Sequence, residues 1–166
     1  MRVCPVGFAF QTLEEVLKEA RASAEVTHNH LEGIRGAQAT AMATFLARQG
    51  ESKQKIRSAI EKRFAYNLSR TTARIRQTYS FNESCQETVP GAIIAFLESD
   101  DYEDAVRLAI SLGGDADTLA CIAGGIAGAF YGSVPASIAN PALALLDDGL
   151  QETATRFCKL HGVAMP

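Results

Sequence analysis

Apolar residues recur along this chain at helical spacing, and most runs open on a capping residue. Thr12-Leu13-Glu14-Glu15 fits a capping box, in which the threonine hydroxyl takes the amide three residues on and the glutamate reaches back. Leu13, Val16, Leu17 and Ala20 follow on one face, so a helix is predicted near 12–25. Asn29-His30-Leu31-Glu32 reads as a second box, capped by Asn29, before Leu31, Ile34, Ala37, Ala41 and Phe45. Gly50 stands where a left-handed residue ends that helix, near 30–49. Ser52 opens a run through Ile56, Ile60 and Phe64. Residues 67–82 read as a loop or broken helix.

Ser84-Cys85-Gln86-Glu87, with Pro90 shortly after, begins a helix carrying Ile93, Ile94 and Leu97. Asp100-Asp101-Tyr102-Glu103 caps a segment from Ala105 to Leu112, which Gly113-Gly114 stops. Asp115-Ala116-Asp117-Thr118 then opens an Ala/Gly-rich helix to Tyr131. Asn140-Pro141 reads as an N-cap followed by proline at the first helical position, leading into Leu143, Leu146, Leu150 and Phe157. No segment alternates with period two over a strand's length, and no Asn-Gly or Asp-Gly hairpin signal is present. The predicted fold class is all-α, a compact multi-helix bundle, with residues 1–166 forming a single domain.

The helix from Leu119 to Phe130 carries Gly124, Gly125 and Gly128, each costing about 0.8–1 kcal/mol relative to alanine in a helix interior. Close packing on several faces is the physical compensation. This helix is therefore expected to be central and buried, with its N-terminus and two aspartates facing a deep pocket.

Composition supports that picture. The chain has 166 residues, 47% hydrophobic and only 7% aromatic; alanine outnumbers every other residue, beside 13 glycines. Small residues favour helix against helix. The formal net charge of -3 gives no electrostatic footprint for nucleic acid or an anionic membrane surface, so neither partner is expected. Arg63, Arg70, Arg74 and Arg76, near Tyr66 and Tyr79, are flanked by acidic residues and read as a solvated face. Leu119 to Tyr131 is too short to span a bilayer. Cys4, Cys85, Cys121 and Cys158 are scattered without a C-x-x-C; they read as reduced, small buried hydrophobes of a cytoplasmic protein.

Two clusters could carry chemistry. Asp115, Asp117 and Thr118 supply two carboxylates and a hydroxyl at a Gly-Gly turn, which lets them converge as regular helical spacing would not. Hard oxygens at this density suit Mg²⁺ or Mn²⁺. The competing reading is a capping aspartate and a first-turn aspartate favoured by the helix dipole. Thr27-His28-Asn29-His30 holds two of the three histidines. No neighbouring cysteine or carboxylate pair completes a zinc site there; a histidine lining a pocket and hydrogen-bonding a polar ligand competes with a surface turn. His161 is expected to be solvated.

Read together, these segments resemble the ADP-ribosylglycohydrolase family, of the dinitrogenase-reductase-activating glycohydrolase type. The stretches that carry the resemblance run in the family's order. They are 1–7 (Met1-Arg2-Val3-Cys4-Pro5-Val6-Gly7), 27–37 around Thr27-His28, 79–90 from Tyr79 through Asn82 and Glu83 to Pro90, 102–118 ending in Gly113-Gly114-Asp115-Ala116-Asp117-Thr118, and 123–132. The resemblance spans essentially the whole chain. It implies that Asp115, Asp117 and Thr118 form half of a two-magnesium site, that His28 contacts bound ADP-ribose, and that ADP-ribose or an ADP-ribosylated protein is the partner.

The implied reaction is hydrolysis of the glycosidic bond between ADP-ribose and a protein side chain or a related conjugate. The family's N-terminal Gly-Asp-Ala-Leu-Gly and Thr-Asp-Asp type segments, which supply the other metal ligands and the acidic catalytic groups, have no match here, so no catalytic residue is assigned. The expectation is an N-terminally truncated, C-terminal part of such a domain, whether by a late start, a cut chain or natural truncation. Two functions compete. One is a magnesium-dependent hydrolase; the other is an inactive member, ADP-ribose-binding or structural in the manner of the crystallin-like relatives. A glycine-rich helix lacking some neighbours would leave apolar surface, so self-association is expected as well.

Overall fold

The computed structural model describes residues 1–81 and 84–164, and within them the chain forms ten α-helices and no strand. These are α1 (Cys4–Ala9), α2 (Leu13–Glu25), α3 (Leu31–Arg48), α4 (Lys53–Phe64), α5 (Thr72–Arg76), α6 (Cys85–Glu98), α7 (Tyr102–Ser111), α8 (Ala116–Tyr131), α9 (Ala136–Leu143) and α10 (Asp148–His161). The all-α expectation is met. Of the stretch 79–90, Asn82 and Glu83 lie outside the described residues.

Local chemistry explains most boundaries. The Thr12 box is complete: Thr12 Oγ1 accepts from the Glu15 amide at 3.3 Å, and the Glu15 carboxylate accepts from the Thr12 amide at 3.2 Å. Ser52, Thr71, Asp101 and Asp147 cap their helices in the same way with one side-chain oxygen. Gly50 and Gly132 adopt positive φ at helix ends, as Gly-type stop signals require.

Three expectations change. The cap of α3 is His30, not Asn29; its Nδ1 accepts from the Glu32 amide at 3.3 Å. Asn140 and Pro141 do not start a helix: both lie inside α9, and α10 starts later, on Asp147. Of the four cysteines, all free thiols, only Cys4 is buried, while Cys121 is exposed. Residues 67–82 do contain a short helix, α5, flanked by irregular chain.

Two helices organise the packing. α8 lies against α7, α6, α3 and α1; α3 lies against α2, α8, α1, α6 and α4. Their contact faces are small: Ala39, Ala43 and Ala47 on α3, and Ala123, Ala127 and Gly124 on α8, all buried. Small residues let backbones approach, and bulk comes from Ile56, Ile60, Ile93, Ile94 and Phe96 of the neighbours and from Leu119 and Ile126 of α8 itself, all fully enclosed. Two of the three glycines of α8 are set by close contact, while a Cβ at Gly128 would meet its neighbours only at 3.8 Å. A Cβ at Gly125 would stand 2.4 Å from Cys4 Sγ, and one at Gly124 would stand 3.3 Å from both Tyr102 Oη and Val106 Cγ2. The expectation of a central, buried helix is met.

Cations tie helix ends to neighbouring carbonyls. Arg48, at the end of α3, donates to the carbonyls of Phe8 and Phe10. Lys53, opening α4, donates to Ser99 O and to Tyr131 Oη at 3.0 Å, and its ammonium lies 5.2–5.6 Å from the centroids of Phe96, Phe130 and Tyr131. By contrast α10 has no buried residue, and Leu145, Leu150 and Leu160 stand exposed on this last segment.

Candidate functional site

The Gly113-Gly114 turn delivers the chain to the start of α8. Both glycines have positive φ, 77° and 62°. Gly114 has a second reason to be glycine: a Cβ there would lie 2.6 Å from the Tyr79 ring. Tyr79 in turn reaches α6, its hydroxyl 3.3 Å from Thr88 Oγ1. The turn is thus pinned between α5 and α6, which fixes where Asp115 enters α8.

Asp115 occupies the N-cap of α8 with φ -79° and ψ 65°, yet its carboxylate makes no capping hydrogen bond. Asp117, in the exposed first turn, is held below the usual carboxylate range by the Asp115 side chain beside it and by the amides of Thr118 and of Asp117 itself. The simple capping reading of Asp115 therefore does not describe its geometry.

A cavity of about 480 Å³ opens at this point, between the first turn of α8, the N-terminal half of α3, the start of α6 and the first residues of the chain. Asp115, Thr118, His28 and Arg2 are among its lining residues. Asp117 is exposed and outside the lining. Among the described residues no three or more His, Cys, Asp or Glu side chains gather as a metal cluster. His30 is spent on capping α3, and His161 is half-buried with its ring 4.5 Å from that of Phe157.

Sequence reasoning missed the wall opposite α8. Gly33, Gly36, Ala37 and Thr40 fall at helical spacing on α3 and line the cavity. A Cβ at Gly33 would lie 2.7 Å from the His28 carbonyl, so the glycine lets the first turn of α3 settle on the His28 backbone. The signal, a small-residue stripe of i, i+3, i+4, i+7, was present in the sequence but is indistinguishable there from a packing face. Arg2 was also missed. Its Nη2 donates to Ser23 O and to Thr27 Oγ1, both at 2.8 Å, and Thr27 Oγ1 lies 2.7 Å from His28 Nδ1. The four arginines read as a solvated face are all exposed, and Arg76 is held by the Ser111 carbonyl and hydroxyl. No helix among the described residues is long and apolar enough to cross a membrane.

Comparison with known proteins bears on this arrangement. The family profile described as ADP-ribosylglycohydrolase matches residues 1–164. The chain is 30% identical over 210 residues to ADP-ribosylhydrolase ARH3 of Homo sapiens, covering 98% of this chain and 56% of that protein. It is 29% identical over 138 residues to ADP-ribosylarginine hydrolase Tri1 of Pseudomonas putida, covering 80% of this chain and 37% of that one. A solved structure described as an ADP-ribosylglycohydrolase-related protein complex superposes with a TM-score of 0.70 at 26% identity, covering 96% of this chain and 57% of its own. The chain thus spans little more than half the length of the curated ARH3 relatives it matches.

Proposed function

This chain belongs to the ADP-ribosylglycohydrolase family, and from that premise we propose that it takes part in hydrolytic removal of ADP-ribose from a modified protein side chain or a related conjugate. The observation that carries the reading is the cavity that His28, Arg2, Asp115 and Thr118 line together. Its volume lies within the roughly 300–1,000 Å³ of small-molecule sites. His28 and Arg2 offer N–H donors for anionic or hydroxyl oxygens of a ligand, and Asp115 and Thr118 offer oxygen acceptors for ribose hydroxyls.

Asp115, Asp117 and Thr118 suit a hard divalent cation, Mg²⁺ or Mn²⁺. Their donors are all oxygens, and Asp117 is held in its ionised, acceptor-only form. Three oxygens are half of an octahedral shell, and Mg²⁺ commonly keeps water in the remainder. A bound cation would supply positive charge and Lewis acidity at the ribose end. The side chains themselves hold and orient the ligand, His28 by a ring N–H and Asp115 by accepting from a hydroxyl.

The test is release of free ADP-ribose from ADP-ribosyl-arginine and ADP-ribosyl-serine peptides with and without Mg²⁺. Asp115→Ala and Asp117→Ala should abolish cation-dependent release and the effect of Mg²⁺ on melting. Apo stability should change by less than about 1 kcal/mol, because the Asp115 carboxylate makes no cap bond. Metal-independent release by both variants would sink the assignment.

A second reading, ADP-ribose binding without turnover, is favoured by the absence of a larger acidic cluster among the described residues. Binding by calorimetry with no release in the peptide assay would select it. The four free thiols fit a reducing, cytoplasmic compartment. The exposed Leu145, Leu150 and Leu160 support self-association between copies of this chain, which concentration-dependent elution in size-exclusion chromatography would reveal.

A further inference from the structure

We propose that Arg2 and Thr27 are positioning residues that fix the neutral tautomer of His28, leaving its Nε2–H as a donor for the ligand in the cavity. The inference rests on the reading of that cavity as a ligand site only in its last step; the relay itself stands on geometry.

A guanidinium can only donate. Arg2 Nη2 places one hydrogen on Ser23 O and the other on Thr27 Oγ1, both at 2.8 Å. Thr27 Oγ1 therefore already accepts, and its single hydrogen is left to donate. The acceptor in reach is His28 Nδ1, 2.7 Å away. A protonated Nδ1 would instead aim a second donor at the same oxygen, beside a cation, and turn the hydroxyl hydrogen of the exposed Thr27 out to solvent. The arrangement that uses every group has Arg2 donating to Thr27, Thr27 donating to His28 Nδ1, and the ring proton on Nε2.

The backbone holds the ring where this chain of bonds can act. The amides of Thr27 and His28 both donate to Ala24 O, at 3.1 and 2.7 Å, and the His30 amide donates to His28 O at 2.7 Å. Gly33 allows α3 to close on that carbonyl. Arg2 and His28 both line the cavity, whereas Thr27 does not. With Nδ1 occupied, Nε2–H is the donor left for a ligand, and the positive charge of Arg2 favours an anionic oxygen such as that of a phosphate.

Thr27 is the discriminating position because it reaches the ligand only through His28. Two-bond ¹⁵N–¹H correlation spectra of the full chain should show His28 as the Nε2–H form at pH 8. In Thr27→Val, with unchanged circular dichroism, His28 should become a tautomer mixture. Affinity for ADP-ribose by calorimetry should fall about 2–13-fold in Thr27→Val, the range for one lost hydrogen bond. His28→Gln, which retains an N–H near the Nε2 position, should bind better than His28→Asn. An Nδ1–H form in the wild type, or an unchanged tautomer and affinity in Thr27→Val, would overturn the relay. A fixed Nε2–H form with no ADP-ribose binding would leave the relay standing and overturn the reading of the cavity.

Discussion

α8 and α10 are similar in length, 16 and 14 residues, and opposite in fate. By local rules α10 is the better helix. Asp147 caps it at 2.8 Å, Lys159 and His161 stand at its negative end, and Gly162 closes it with φ 65°. α8 contains three glycines, and its N-cap carboxylate does not cap. Yet α8 is enclosed by four helices, and no residue of α10 is more than partly buried. Local signals decide that a helix forms; they do not decide that it packs. In α8 the sequence departs from helix propensity where neighbours need room and where the site needs its aspartates free.

The largest break in that contrast should come from removing bulk beside α8. Phe96 is fully buried on α6, its ring edge-on to Phe130 of α8 at 5.3 Å and under the Lys53 ammonium. Phe96→Ala should cost about 3–5 kcal/mol in urea unfolding. No side chain of α10 is buried deeply enough to give a comparable loss.

Alkaline pH should separate the regions next. Burial, then the neighbouring Cys121, pushes the Cys4 thiol from 9.0 up to about 11. A raised acid favours the fold fully below pH 9, where both states hold the proton. Its contribution then falls by about 1.4 kcal/mol per pH unit as the unfolded thiol ionises first, and it is lost by pH 11. Cys158 on α10 is raised by burial too, but it is largely accessible. Melting between pH 8.5 and 10.5 should therefore be shallower in Cys4→Ala than in the wild type, and unchanged in slope in Cys158→Ala.

Much of this was legible beforehand. The Thr12 box, the Gly113-Gly114 stop and the central glycine-rich helix are fixed by short-range chemistry that a sequence displays. Asn140-Pro141 misled because proline at a first turn and proline inside a short exposed helix share one local signature; α9 has little packing to enforce either. Asn29 lost its cap to His30 because an imidazole nitrogen can accept from an amide, a role the usual cap rule omits. Asp115, Thr118 and His28 line one cavity, whereas Asp117, two residues along the same turn, stands outside its lining. Arg2, 25 residues from Thr27, could not be seen: pairing across such a separation is set by how α1 lies on α3, which no local pattern encodes.

Glycine to alanine should have opposite signs in the two helices. At Gly125 the new Cβ would stand 2.4 Å from Cys4 Sγ and 3.0 Å from Cys4 Cβ, neither at the end of a long flexible chain. Overpacking of about 1–3 kcal/mol then offsets or exceeds the helix gain of about 1 kcal/mol, for a net loss of up to about 2 kcal/mol in global unfolding. Adding Cys4→Ala should recover part of it, since the sulfur is the closer atom.

Gly149→Ala in α10 meets only Asp147 Oδ1, at 3.4 Å, an ordinary contact. It should stabilise that helix by about 0.5–1 kcal/mol. Because no residue of α10 is more than partly buried, the gain belongs to the local opening of α10 and not to the cooperative unit around α8. Amide exchange within 148–161 should slow about three- to fivefold, while the global urea midpoint stays where it was. A shift of the global midpoint with unchanged exchange in α10 would mean that α10 unfolds with the bundle, and the contrast between the two helices would fail.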